Sequence, residues 1–237
     1  ISELFPAQGP VKTQIIGKVT EKKQNQSQRV QDFMNFQVTT QIPDYFNELD
    51  QLLFYLSLAG SAFKKVYFDN TLDRVCAKFI PAEDFVISNN NTDLIASERY
   101  TQVMKLSVNE IKKYMVSGLY REVPLTKERG YNATSEDVVQ KTLQRLEGIS
   151  PSMADQIHTV LEVHIDYDLD EDKNGLGLPY IVTIDYDTRQ VLAIRRNWEE
   201  GDELMKKRTY FVHYKYLPGL GFYGFGLIHM IGGLQHA

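Results

Sequence analysis

The sequence predicts an α+β fold, with helices near the start followed by a largely antiparallel sheet. Three observations predict it. Apolar residues recur at helical spacing between Val30 and Leu56, and two-residue alternation dominates the last third. Strands also do not alternate with helices, as the crossovers of a parallel sheet require.

Taken in order, Leu4-Phe5-Pro6 to Gly17 contains Pro6, Gly9 and Pro10 and reads as an extended lead-in. From Thr20 to about Val38 the chain is first polar and then amphipathic, with Val30, Phe33, Met34 and Val38 on a helical stripe. Pro43 suits a first helical position, and Tyr45, Phe46, Leu49, Leu52, Leu53 and Leu56 follow on one face until Gly60 stops the helix. Ala62 to Phe68 and Val75 to Ile80 flank a turn at residues 69–73 and predict a hairpin, and Phe85 to Ser88 predicts a short strand.

Ser107-Val108-Asn109-Glu110 is a capping box, in which the hydroxyl accepts from the backbone three residues on and Glu110 reaches back. Ile111, Tyr114 and Met115 continue its apolar stripe to Gly118. A further helix is predicted from Thr134-Ser135 to Gly148, followed by a break at Ile149-Ser150-Pro151. Leu161 to Tyr167, Tyr180 to Tyr186, Val191 to Arg195 and Tyr210 to Tyr216 then alternate as one β-meander.

The 237 residues suffice to bury a sizeable core, and a net charge of −5 advertises no affinity for nucleic acid at the level of the whole chain. Cys76 is the single cysteine, so no intrachain disulfide forms. The start at Ile1 without Met, and the stop at Ala237 inside an expected helix, read as a fragment. Leu217 to Leu234 carries no charge apart from a potential one on His229, yet Pro218 and six glycines make it a poor membrane span. A buried turn followed by a helix is the reading.

Four groups of residues carry candidate chemistry. Gly219-Leu220-Gly221-Phe222-Tyr223-Gly224 matches G-x-G-x-x-G, but it lacks the βαβ unit and downstream acid of a dinucleotide site, so it reads as a glycine-enabled turn for aromatic packing. Asp170, Asp172, Asn174 and Gly175 reproduce the first half of a calcium loop, with Asp168 nearby. The twelfth position is Ile181 where a bidentate Glu is needed, and the loop reads as a solvated hairpin tip. His158, His164, His213, His229 and His236 show no metal-binding spacing, and His164 and His213 read as strand surface residues. Lys64-Lys65, Lys112-Lys113, Arg195-Arg196 and Lys206-Lys207-Arg208 read as exposed charge, with no extended basic stripe. No catalytic, cofactor-binding or metal residue is assigned, and no cofactor is expected. A metal-dependent enzyme built on Asp168 to Asn174 and a generic α+β binding module remain the alternatives.

Longer strings add a resemblance. Gln26 to Asp69 (QSQRVQDFMNFQVTTQIPDYFNELDQLLFYLSLAGSAFKKVYFD), Phe79 to Ile87, Asp93 to Val123, Leu178 to Asp185, Val191 to Trp198 and Tyr210 to Leu234 resemble, in order and spacing, the portal proteins of short-tailed double-stranded DNA bacteriophages. The stretch Leu125 to Gln156 resembles them least. The resemblance implies a non-enzymatic structural subunit of the head-to-tail connector, in a ring of about twelve copies at one capsid vertex of the virion, assembled in the host cytoplasm. It implies a wing-like α+β domain over residues 1–216, with residues 217–237 as a Gly-rich connection and helix start toward a stem. The implied partners are copies of itself, capsid and scaffolding proteins, terminase, a tail adaptor and double-stranded DNA passing through the channel during packaging and ejection. No membrane is implied.

Overall fold

The computed structural model describes residues 4–6, 9–69, 72–88, 91–125, 157–169, 175–219 and 221–235. The architecture is α+β, with two antiparallel sheets where one was expected. The chain divides into two compact units. The first comprises Ile1–Phe85, Asn89–Ala96 and Thr209–Ala237, and the second comprises Val86–Ser88 and Ser97–Arg208. The expected 1–216 domain therefore contains residues of both units, and the segment from 217 onward belongs to the first.

The first unit opens with α1 (Glu21–Phe36), capped by the Thr20 hydroxyl, which accepts from the Lys23 N–H. The lead-in runs beside it. Val11 N–H donates to Asn35 Oδ1 at 2.9 Å, and Thr13 hydrogen-bonds the Ser27 carbonyl and Gln31. A π-helical turn (Gln37–Gln41) follows, then α2 (Tyr45–Ala59). Pro43 stands two residues before α2 and not in its first turn, because the Tyr45 N–H closes a turn onto the Ile42 carbonyl. Gly60, at φ 87°, ends α2 in the left-handed conformation a C-terminal glycine supplies.

The expected hairpin is present as β1 (Ser61–Asp69) and β2 (Arg74–Pro81), with Phe63 opposite Ile80. The strand expected at Tyr210 to Tyr216 is β8 (Phe211–Lys215), but it does not extend the meander. It pairs with β1, Phe63 opposite His213, giving the order β2-β1-β8. The reason is ring packing, with Phe63, Phe85, Phe211, His213 and Phe222 forming one contiguous cluster. α2 packs on this hairpin through Leu52, fully buried, and Tyr55, 5.5 Å from the Phe79 ring. Glu48 accepts the Phe79 N–H on the outer edge of β2, which occupies a donor otherwise open to strand addition. The last helix, α4 (Leu227–Gln235), follows the glycine-rich turn and contacts α2.

The second sheet has the order β3-β4-β5-β6-β7, from β3 (Phe85–Ile87), β4 (Arg99–Ser107), β5 (Ile157–Tyr167), β6 (Leu178–Asp185) and β7 (Gln190–Arg196). α3 (Val108–Val116) carries the predicted capping box in full and lays Ile111 against Val160, Leu192 and Val123. Asp185 pairs with Gln190, Ile184 with Val191 and Thr183 with Ala193, so Leu192 is the extra residue of a bulge, and it is fully buried in that core. The helix predicted over 134–148 lies outside the described residues. No helix among the described residues is long and apolar enough to cross a membrane.

Candidate functional site

In the first unit, β1 and the glycine-rich turn bring a serine to a histidine. Ser61, 1% exposed, accepts the Gly224 N–H at 2.7 Å and lies 3.2 Å from His213 Nε2. His213 is half-buried, its ring stacked 4.5 Å from Phe63 and 4.4 Å from Phe222. Burial of the imidazole first, and the Lys215 charge second, push its pKa down to about 4, while Asp93 opposes the shift. His213 is thus a packed core ring and not the surface residue its strand position suggested. A Ser–His pair at this distance has the outline of a nucleophile and its base, but not the chemistry. The hydroxyl is buried, its oxygen is held by a backbone donor, and so weakly basic an imidazole is a poor general base at neutral pH.

Gly219, Gly224 and Gly226 of the turn serve packing. A Cβ at Gly224 would meet the Gly60 and Leu217 carbonyls, and one at Gly226 would meet Leu58 O and Gly60 N. Gly219 and Gly224, the first and third glycines of the G-x-G-x-x-G string, are thus crowded by protein backbone, whereas Gly221 has nothing within 4 Å of its Cβ position. Tyr223 fixes the turn further by donating its hydroxyl to the Phe85 carbonyl at 2.7 Å.

In the second unit, two histidines lie on the covered face of β5, on either side of Val160 and Glu162. His158 and Asp185 are both fully buried, with Nδ1 2.9 Å from Asp185 Oδ2. Thr188 donates its hydroxyl to the same oxygen at 2.7 Å, and the Asp187 N–H donates to Oδ1 at 3.2 Å. Asp187 Oδ2 is 3.9 Å from His158 Nδ1 and accepts the Thr159 N–H. Among the described residues, His158, Asp185 and Asp187 are the set whose donor atoms lie close enough together to hold a metal ion. Every one of those oxygens already accepts a protein hydrogen, however, so the group ties the start of β5 to the β6–β7 turn. His164 is also fully buried, contrary to its reading as a surface residue. Its Nε2 lies 3.0 Å from Glu162 Oε1, and its ring stacks 4.8 Å from Tyr100 opposite on β4.

Two of the basic pairs are not simple exposed charge. Lys64 is 3% exposed, with Nζ 3.8 Å above the Tyr45 ring. Lys207 donates to the Ser97 carbonyl at 2.8 Å, pairs with Asp166 at 3.3 Å and lies over Tyr100. Lys112, Lys113, Arg195, Arg196 and Arg208 are exposed as expected. Of the candidate calcium loop, Asp168 accepts the Gly175 N–H at 3.2 Å, while Asp170, Asp172 and Asn174 lie outside the described residues. His236 does too, and His229 accepts the Gly226 N–H at the start of α4.

Sequence reasoning does not single out Ser61 or Asp185. The available signal for Asp185 is the Asp185-Tyr186-Asp187-Thr188 string at a strand end, where short polar side chains bond their own turn. No known protein family matches the chain, and no curated protein matches it either.

Proposed function

We propose that the chain is a subunit of a ring-forming portal, the head-to-tail connector of a short-tailed double-stranded DNA bacteriophage. The observation that carries the reading is the inverted use of α1. Its polar stripe, Ser27, Gln31 and Asn35, is covered by the lead-in segment. Its apolar stripe faces solvent, with Phe33 56%, Val30 45% and Met34 43% exposed. α1 has no buried residue at all. A helix that satisfies its polar side within the chain and leaves its aromatic side open is suited to a neighbouring subunit.

The ordered sequence blocks that resemble portal proteins supply the identity of that neighbour, a second copy in a closed ring. The site geometry favours the same reading over an enzyme, because the buried polar clusters of each unit hold strands and turns together.

Native mass spectrometry of the full-length protein tests it. A ring of about twelve copies is expected, with Phe33→Asp shifting the population toward monomer. A protein that stays monomeric or dimeric at high concentration refutes the proposal.

A further inference from the structure

The Ser61–His213 pair carries an inference that does not depend on the portal reading. Ser61 Oγ accepts the Gly224 N–H and lies 3.2 Å from His213 Nε2, so its own hydrogen is free to be donated to that nitrogen when the imidazole is neutral. The relay from amide to hydroxyl to imidazole is complete only with Nε2 unprotonated. The ring also stacks on Phe63 from β1 and on Phe222 from the turn, which lie 5.9 Å from each other. A neutral imidazole fits against two apolar rings, whereas an imidazolium packed there loses hydration. His213 thus sits where the turn and the three-stranded sheet meet, touching Ser61 and Phe63 of the sheet and the Phe222 ring of the turn.

We propose that His213 is an acid-released latch, which holds the 221–226 part of the turn to the sheet while neutral and frees it, and with it the start of α4, once protonated. The charges that bear on the ring are Lys215 on its own strand, which disfavours the imidazolium, and Asp93 from the segment before β4, which favours it. The groups in contact from β1 and the turn, Ser61, Phe63 and Phe222, do not titrate at these pH values.

The sign follows from linkage. Closed, the imidazole's pKa is about 4; released into water, it returns to its ordinary 6.5. The open form therefore binds more protons between those values, and opening becomes easier as pH falls from 6.5 toward 4. Above 6.5 the latch is indifferent to pH. A ring in this window carries about tenfold per pH unit, and partial exposure shortens the window, so the expected cumulative rise in opening is about tenfold to a hundredfold.

Hydrogen exchange at the Gly224 amide, corrected for intrinsic rate and followed from pH 7.5 to 4, reads the opening constant directly. A constant that is flat above pH 6.5 and rises below it, together with His213→Phe that keeps the stack and stays flat throughout, is the expected result. A flat profile in the unaltered protein overturns the proposal, as does the same rise in His213→Phe or an equal loss of protection at Val160 over the same range, which reports global unfolding. Should the variant fail to fold, the imidazole titration of His213 in the unaltered protein decides: a pKa well below 6.5 supports the latch, and one at or above 6.5 overturns it.

Discussion

Gly60 and Gly226 meet backbone to backbone: a Cβ on either residue would fall well inside van der Waals contact distance of the other's nitrogen. The end of α2 and the start of α4 are thereby held closer than any side chain permits. Gly60→Ala carries two penalties, the left-handed φ of 87° and this steric overlap. We expect it to cost roughly 2–4 kcal/mol. Gly118 is the control, with a φ of 75° but nothing near its Cβ position. Gly118→Ala is expected to cost only about 1 kcal/mol. Denaturant unfolding of both variants separates steric overlap from backbone strain.

The buried His158–Asp185 pair is expected to be more costly to break than to soften. Asp185→Ala strands a fully buried imidazole N–H and removes the acceptor for Thr188 and Asp187. The expected loss is about 3 kcal/mol, whereas Thr188→Val, which deletes one donor and keeps the volume, should cost about 1 kcal/mol. Equal costs in chemical denaturation would show that the Thr188 hydrogen bond, and not the His158–Asp185 contact, carries the stabilisation.

The capping box at α3 gives a smaller, salt-tolerant effect. Ser107 Oγ accepts the Glu110 N–H, and Glu110 Oε2 accepts from the Ser107 backbone and hydroxyl. Those hydrogen bonds hold the Glu110 carboxyl below its ordinary 4.5. Its contribution is therefore complete above pH 4.5 and declines as pH falls through the depressed value. Ser107→Ala should destabilise by about 1 kcal/mol at pH 7, and the gap between variant and parent should narrow in acid.

The features legible in the sequence are those that local pattern dictates. The Ser107 cap, the Gly60 stop and the β1–β2 hairpin all depend on residues a few positions apart, and each forms as expected. β4 gives no such signal because both of its faces mix chemistry, with Tyr100, Gln102, Met104 and Leu106 on one side and Arg99, Thr101, Val103 and Lys105 on the other. The pairing of β8 with β1 is hidden for a different reason. Its partner is about 150 residues away, and the aromatic cluster that selects it, Phe63, Phe85 and Phe222, is assembled only by folding. The buried states of His164, His213 and Lys64 are likewise invisible, since alternation gives a residue's face but not what covers that face.

Lys64 makes the last prediction, because a buried ammonium with so little compensation is unusual. Its Nζ has no hydrogen-bond partner among the described residues and rests on the Tyr45 ring, under α2. Burial lowers its pKa below the ordinary 10.5, and the Glu48 carboxylate offsets part of that shift. The unfolded chain therefore holds the proton more tightly than the folded one, so the lysine opposes folding at neutral pH and ceases to do so as pH rises toward 10.5. Lys64→Met keeps the length of the side chain and its contact with Tyr45 while removing the charge. It should be as stable as the parent at pH 7, or more stable by about 1 kcal/mol, with the difference shrinking as pH approaches 10.5. Urea unfolding of both proteins at pH 7 and pH 10 is the measurement. A variant that is markedly weaker at pH 7 would mean that the cation–π contact with Tyr45 outweighs the cost of burying the charge.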